Sequence, residues 1–123
     1  MDVGCGSGIL SAFAVRAGAK TVTGIDKAKV RKLMKAKLTE LNVKDIIFIN
    51  KSVEELVESG KNVKKYDVIV SEWMGYFLLF ENMIASIYYA RKHLLTDRGT
   101  MIPSRANMYL TIAGYPIGAE IPR

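Results

Sequence analysis

Two glutamates bracket the stretch SEWMGYFLLFE and carry the most conspicuous chemistry in this sequence. Glu72 and Glu81 enclose eight residues that hold no other charge and are mostly large and apolar. An ionised carboxylate that is buried among apolar groups without a partner is costly, because it loses its hydration. The two acids therefore either reach solvent from a loop or are arranged to receive a cation.

A glycine turn, DVGCGSG, lies near the start of the chain. Gly4, Gly6 and Gly8 let the backbone turn tightly and approach a ligand closely, with a predicted helix directly behind them. Their spacing is G-x-G-x-G, which differs from the G-x-G-x-x-G fingerprint of dinucleotide-binding folds. A purely structural turn between a strand and a helix remains the alternative.

Two further acids follow predicted strands. Asp26 ends the second strand and could accept hydrogen bonds from both hydroxyls of a ribose. It could equally cap the following helix. Glu54, preceded by Val53, comes just after the third strand and could accept a hydrogen bond from an adenine amino group. The alternative for Glu54 is a first-turn acid that the helix dipole favours.

Strand and helix patterns alternate along the chain. Strands are predicted at 1–3, 21–25, 46–49, 66–70, 99–102 and 107–112, and helices at 9–17, from 27 onward, at 54–58 and at 83–95. This alternation predicts an α/β fold with a mostly parallel sheet. Ligands of such sheets bind beyond the carboxyl ends of the strands, which is where each motif above is placed.

Two of these elements carry burial predictions. The strand 66–70, YDVIV, is a continuous apolar run of the kind that is buried on both faces of a parallel sheet. The helix that begins at Lys27 is predicted to bury one apolar face, which consists of Val30, Leu33, Met34, Leu38 and Leu41.

Charge and cysteine content narrow the possible partners. The formal net charge is +6, and residues 27–65 account for all of it, with eleven Lys or Arg against five Asp or Glu. Because these lysines are spread over predicted helix and loop positions, without RNA-reading aromatics between them, a solvated face is favoured over nucleic-acid binding. Cys5 is the one cysteine, which excludes an intrachain disulfide and suits the reducing cytosol or nucleus. No apolar run approaches the roughly 20 residues that span a membrane.

In combination, GCGSG, GID and SEWMGYFLLFE resemble the protein arginine methyltransferases, enzymes that use S-adenosylmethionine. The similar region covers about residues 1–110 and includes YAR and IPSRANMYL, and it is most similar to the type I enzymes, which make asymmetric dimethylarginine. The resemblance implies a Rossmann-like class I methyltransferase core over residues 1–100. It also implies that residues 101–123 begin a β-barrel domain.

The resemblance also implies the cation that Glu72 and Glu81 receive, namely the guanidinium of a substrate arginine. A guanidinium is protonated and has no acceptor, so it is a poor nucleophile. Two carboxylates can hold it in a fork geometry and draw its positive charge away from the nitrogen that attacks. The apolar residues between the acids are expected to exclude water and so strengthen this interaction.

Cofactor contacts follow from the same resemblance. The glycines would line the methionine and ribose portions, Asp26 would hold the ribose where many relatives have Glu, and Met83 would lie near the transferred methyl group. The full implied set is Asp2, Gly4, Gly6, Gly8, Ile9, Leu10, Asp26, Val53, Glu54 and Met83. No metal is expected, and the implied substrates are proteins with arginine, above all glycine- and arginine-rich ones.

Relatives of this type have further parts that this sequence does not match. They have helices before the first strand that cover the cofactor, and a β-barrel with a dimerisation arm, so a truncated chain with an incomplete homodimer interface is expected. Two alternatives stay open. One is a non-catalytic fragment that binds cofactor or partners, and the other is a nicotinamide-binding domain, which rests on the glycine turn and Asp26 alone.

Overall fold

Strands and helices alternate through most of the structure. The computed structural model describes residues 1–44, 46–61, 63–112 and 114. The elements are β1 (Asp2–Val3), α1 (Ile9–Arg16), β2 (Val22–Ile25), α2 (Arg31–Glu40), β3 (Ile46–Ile49), α3 (Val53–Glu58), β4 (Tyr66–Val70), α4 (Ile84–Leu94) and β5 (Leu95–Ile102). The five strands pair in parallel in the order β3-β2-β1-β4-β5. The predicted α/β fold with a parallel sheet is confirmed.

The strand order places a switch point in the middle of the sheet. The chain runs outward from β1 through β2 to β3 and then returns to place β4 on the other side of β1. Right-handed crossovers put α1 and α2 on one face of the sheet and α3 and α4 on the other. In agreement with this, α1 contacts α2, and α3 contacts α4. A crevice therefore opens beyond the carboxyl ends of β1 and β4.

The main hydrophobic core fills the space between the sheet and the α3–α4 layer. Ile25, Ile69 and Leu94 are almost fully buried there. The remaining buried members of this core are Met1, Val3, Val53, Leu56, Tyr66, Ile87 and Ala90. Because the core reaches Val3, Ile25 and Val53, it supports the ends of the elements that face the crevice.

No helix in the described part of the chain is long and apolar enough to cross a membrane.

The second helix begins at Arg31, so the predicted start at Lys27 is wrong. The Asp26 carboxylate accepts the Ala28 N–H at 2.8 Å, and the Asn50 side chain donates to the carbonyls of Asp26 and Ala28. These bonds hold the stretch in bends instead of a helical turn. The predicted apolar face is also wrong in part, because Met34 is buried whereas Leu33 is exposed.

The prediction that β4 is buried on both faces is wrong. Asp67 and Val68 are exposed, because α1 and α2 lie over β1 to β3 and, within the described residues, leave β4 uncovered on their side of the sheet. β5 begins at Leu95, directly after α4, and its pairing with β4 shifts register between Tyr66 and Val68. The strand β5 therefore begins four residues before the predicted start at residue 99.

The strand predicted at 107–112 is also wrong. These residues have no regular secondary structure and, among the described residues, no strand pairs with them. β5 extends through Ile102, so the predicted boundary after residue 100 falls inside a strand of the main sheet. Of the segment predicted to begin a β-barrel, residues 113 and 115–123 lie outside the described part, and that domain stays a prediction.

Candidate active site

A cavity of about 410 Å³ opens in this crevice, beyond the carboxyl ends of β1, β2 and β4. Its volume lies in the range of small-molecule sites, roughly 300–1,000 Å³. Seven residues selected from the sequence line it: Gly4, Asp26, Val53, Glu54, Glu72, Glu81 and Met83. The structure thus joins the glycine turn, the two strand-end acids and the glutamate pair, which are far apart in sequence, in one site.

The glycine turn has a backbone that other residues rarely adopt. Gly4, Gly6 and Gly8 have φ of 71°, 48° and 82°, in the left-handed region. The N–H of Gly4 donates to the Ile25 carbonyl at 2.9 Å, which ties the turn to β2. A methyl group on Gly4 would lie 2.5 Å from Cε of Met83. Met83 and the first glycine therefore contact each other at the cavity wall, and a larger residue at position 4 would displace Met83.

Asp26 connects the turn to the end of β2. One carboxylate oxygen accepts the Gly6 N–H at 2.9 Å, and the other accepts the Ala28 N–H at 2.8 Å. The alternative that Asp26 caps the following helix is wrong, because α2 begins only at Arg31 with Val30 as its N-cap, and the bond to Ala28 closes a local turn instead. Each carboxylate oxygen has a second lone pair, so both can still accept from a ligand hydroxyl.

Glu54 lies in the first turn of α3 and also lines the cavity. Ser52 caps this helix in a capping box with Glu55, so the start of α3 is well defined. Burial raises the pKa of Glu54, but hydrogen bonds from its own backbone N–H, from Ser86 and from Ser52, together with the charge of Lys27, outweigh burial and lower the pKa. Glu54 is therefore ionised and ready to accept a hydrogen bond.

The sequence reasoning missed seven of the lining residues, namely Val3, Ile25, Lys27, Lys51, Ser52, Asn82 and Ser86. Ser86 lies three residues after Met83, a spacing that puts two side chains on the same side of a helix. That spacing would have predicted it once Met83 was chosen. Lys27 and Lys51 were assigned to the solvated basic face, and only the meeting of β2 and β3 at one edge brings them to the cavity.

The segment between the two glutamates folds back on itself. The N–H of Gly75 donates to the Leu78 carbonyl, and the N–H of Phe80 donates to the Tyr76 carbonyl, both at 3.1 Å. Phe77 and Leu78 have φ of 52° and 64°, which non-glycine residues adopt only when their surroundings enforce it. This reversal of the chain allows Glu72 and Glu81 to line the same cavity.

The apolar residues of this segment do not cover the acids, contrary to the expectation that they exclude water. Tyr76, Phe77 and Phe80 are 84%, 83% and 76% exposed, and the rings of Tyr76 and Phe80 contact each other edge to face. Glu72 and Glu81 are themselves exposed. The reversed chain directs the large side chains outward, which their hydrophobicity alone did not predict.

Asp2 is part of the implied cofactor set but does not line the cavity. It is 1% exposed, and its Oδ2 accepts the Ser11 hydroxyl at 2.7 Å, while Oδ1 has no partner among the described residues. Burial raises the pKa of Asp2, and the Ser11 bond lowers it less. Asp2 thus faces α1.

Four other residues of the implied cofactor set do not line the cavity. Gly6, Gly8, Ile9 and Leu10 lie in the turn and the first residues of α1 and do not line the cavity either. Their cofactor roles stay predictions. In the described part of the chain, no three His, Cys, Asp or Glu side chains are grouped so as to hold a metal ion.

Comparisons with known proteins point to methyltransferases. A family model for ribosomal protein L11 methyltransferase (PrmA) matches residues 1–104. Protein arginine N-methyltransferase 1 of Dictyostelium discoideum is 43% identical over 112 residues, which cover 90% of this chain and 32% of that protein. The chain thus spans between about a fifth and a third of the length of the curated relatives it matches.

Two solved structures are similar as well. Arabidopsis thaliana protein arginine methyltransferase 10 has a TM-score of 0.73 and 39% identity, and the match covers 82% of this chain and 28% of that one. The Trypanosoma brucei PRMT1 enzyme–prozyme heterotetrameric complex with AdoHcy has a TM-score of 0.69 and 42% identity, over 81% of this chain and 31% of that one.

Proposed function

Because this chain belongs to the methyltransferase family of the PrmA model, and its resemblance to the protein arginine N-methyltransferases is confirmed, we propose that it binds S-adenosylmethionine and methylates arginine side chains of proteins. The observation that carries the proposal is the single cavity that holds both halves of such a site. Gly4, Asp26 and Glu54 form the cofactor half, and Glu72 and Glu81 form the substrate half.

The residues present fit the cofactor. Nothing lies within 4 Å of where a side chain on Gly6 would begin, so the turn leaves an open path for a ligand next to its backbone. Asp26 keeps free lone pairs for ribose hydroxyls, and ionised Glu54 can accept from an adenine amino group. When bound, S-adenosylmethionine supplies an electrophilic methyl group on a sulfonium.

The glutamate pair would act on the other reactant. Glu72 and Glu81 can each accept N–H bonds from one guanidinium, which holds it in place and draws its positive charge toward the acids. The nitrogen that faces the cofactor then becomes the better nucleophile. Positioning and electrostatics of this kind can each lower a barrier by several kcal/mol. Met83, which contacts Gly4, would border the point where the two reactants meet.

Calorimetric titration with S-adenosylhomocysteine and with NAD tests the cofactor half. We expect the chain to bind S-adenosylhomocysteine and not NAD. Asp26→Ala should weaken that binding by ~1–3 kcal/mol, because the ribose hydroxyls lose their partner. Asp97→Ala is the matched control, since Asp97 is an exposed acid near the amino end of β5, opposite the cavity. Binding of NAD instead, or an unchanged dissociation constant in folded Asp26→Ala, would contradict this assignment.

A second candidate is a chain that binds cofactor without catalysing transfer. It is favoured by the exposure of Glu72 and Glu81, since acids in water hold a cation weakly. Transfer of a radiolabelled methyl group from S-adenosylmethionine to an arginine-containing peptide separates the two candidates. Turnover supports the enzyme, whereas cofactor binding with no transfer supports the binding protein.

The finer points of the proposal concern substrate, assembly and location. We propose glycine- and arginine-rich proteins as substrates, because a flexible glycine-flanked arginine can reach an acid pair with little steric conflict. Assembly into a homodimer and a cytosolic or nuclear location are proposed on the family resemblance and on the single Cys5. Methylation rates for peptides with and without flanking glycines would test the substrate preference.

A further inference from the structure

Met34 occupies an unusual place for a residue of a surface helix. It is 3% exposed and is the one buried side chain of α2, all of which lies in the described part of the chain. It is not a member of the main core under α3 and α4. Its burial therefore has another reason, which its contacts reveal.

Met34 fills the space beneath the glycine turn. Its sulfur lies 3.9 Å from Sγ of Cys5. A methyl group on Gly8 would lie 2.8 Å from Cγ of Met34, and one on Gly24 would lie 3.1 Å from its Cε. One side chain of α2 is thus in close contact with two positions of the turn and with the neighbouring strand β2.

The turn depends on such support. Gly8 is the N-cap of α1 and has no side chain to bond the helix N-terminus. The turn is closed by the Gly8 N–H donating to the Cys5 carbonyl at 2.7 Å, between the two positions that Met34 contacts. From there the Gly6 N–H reaches Asp26 at 2.9 Å. A shift of Cys5 or Gly8 would move Gly6, and with it the bond that orients Asp26.

We propose that Met34 is a positioning residue of the cofactor site. It holds the glycine turn in the shape that aims Gly6 and Asp26, and it touches no reactant itself, since it does not line the cavity. Thioether side chains adapt well to irregular gaps of this kind. The part of this inference that concerns the cofactor rests on the proposed function. The effect of Met34 on the glycine turn does not require a ligand.

The test compares Met34→Ala and Met34→Leu with Leu94→Ala. Leu94 is equally buried but lies at the far end of α4, in the main core, so Leu94→Ala should lower the melting temperature without altering the turn. Met34→Ala should weaken S-adenosylhomocysteine binding about tenfold, since small misplacements of site groups are costly. Met34→Leu should restore binding to within about threefold, because Leu and Met exchange with little loss of packing.

A ligand-free measurement separates positioning from general stability. Hydrogen exchange of the Gly6 amide, followed by NMR, should become about tenfold faster relative to the amides of β3 in Met34→Ala, because local opening precedes global unfolding. In Leu94→Ala the Gly6 and β3 amides should change together. If Met34→Ala does not fold, Met34→Val, which removes less of the side chain, is measured in the same way.

The outcomes distinguish this inference from the proposed function. A wild-type chain that does not bind S-adenosylhomocysteine would contradict the proposed function, and the exchange of Gly6 would still decide the role of Met34. Unchanged relative protection of Gly6 in Met34→Ala or Met34→Val overturns the inference. The inference is also overturned if folded Met34→Ala or Met34→Val binds S-adenosylhomocysteine with the dissociation constant of the wild type.

Discussion

At the scale of single residues, the environment of each carboxyl group decides what it can do. Asp2 is buried against Ser11, and burial raises its pKa. Partial burial raises the pKa of Glu54, but hydrogen bonds from its own backbone N–H, from Ser86 and from Ser52, with the charge of Lys27, lower the pKa by more. Glu72 and Glu81 face a cavity that is open to solvent. The same functional group therefore serves as a structural anchor in Asp2 and as a hydrogen-bond acceptor in Glu54, and under the proposed function it would receive a cation at Glu72 and Glu81.

The glutamate pair should be essential for methyl transfer and dispensable for cofactor binding. Gln keeps the shape of Glu but removes its charge, so Glu72→Gln and Glu81→Gln should each lower the rate by ~10²–10³. The double variant should be little worse than either single one, because the pair acts as a unit. The measurement is radiolabelled transfer to an arginine–glycine peptide, with calorimetry for the cofactor.

Glu58→Gln provides the matched control for the pair. Glu58 is an exposed acid at the end of α3 and does not line the cavity, so its loss should leave the rate unchanged. If Glu72→Gln or Glu81→Gln kept more than about a tenth of wild-type turnover, the pair would be ordinary loop acids.

Cys5 should be chemically inert in the folded protein. Burial, with the nearby charges of Asp2 and Asp26, raises its pKa to about 12, so almost no thiolate forms near neutral pH. Iodoacetamide at about pH 8 should label the thiol in urea and leave it unmodified in buffer, as read by mass. Rapid labelling of the folded chain would show that the glycine turn opens far more often than its packing indicates.

At the scale of elements, the site depends on two backbone reversals. The glycine turn brings the end of β1 into contact with Asp26. The segment that follows β4 reverses at Phe77 and Leu78, in the left-handed region, and allows Glu81 to line the cavity with Glu72. Strained backbone of this kind persists only where surrounding contacts enforce it, and it is often found at functional sites.

Gly75 should be needed for the second reversal. A methyl group at this position would lie 3.2 Å from Cγ of Glu81 and 3.3 Å from its backbone nitrogen, so Gly75→Ala should push Glu81 away from its place. We expect methyl transfer to fall by about 10²-fold, because misplacement by an ångström can have that effect. S-adenosylhomocysteine binding, measured by calorimetry, should not change. Equal loss of both properties would indicate general unfolding instead.

At the scale of the whole molecule, most of the excess Lys and Arg side chains lie away from the cavity that holds Glu72 and Glu81. Lys27 and Lys51 line the cavity, whereas Lys29, Lys32 and Lys35 are exposed on or just before α2. An extended positive surface would repel arginine-rich substrates, so the face of α2 should take no part in their binding.

Reversing the charges of Lys29, Lys32 and Lys35 to Glu should therefore change methyl transfer and cofactor binding less than about twofold, as expected of surface positions. Peptide turnover and calorimetry measure the two effects. A tenfold loss of turnover in a folded variant would reveal a binding surface on α2 for a substrate or partner.

Much of the fold could be predicted from the sequence because it depends on local patterns. β-branched runs marked β2, β3 and β4 to within one residue, and the strand–helix alternation implied a parallel sheet. Because parallel strands end at a common edge, the acids that follow them were expected in one place, and Asp26, Glu54 and Glu72 do share one cavity. The motif SEWMGYFLLFE carried the family resemblance.

What only the tertiary structure decided is which surfaces face each other. Hydrophobicity predicted that Val68 would be buried and that residues such as Phe77 would exclude water from the two glutamates. Burial depends on whether a second layer lies over a residue, and neither Val68 nor Phe77 has one in the described part of the chain. The roles of Met34 under the glycine turn and of Ser86 beside Glu54 depend on contacts between helices and loops far apart in sequence. Periodicity along one helix shows which residues share a face, but what that face meets depends on how the layers pack.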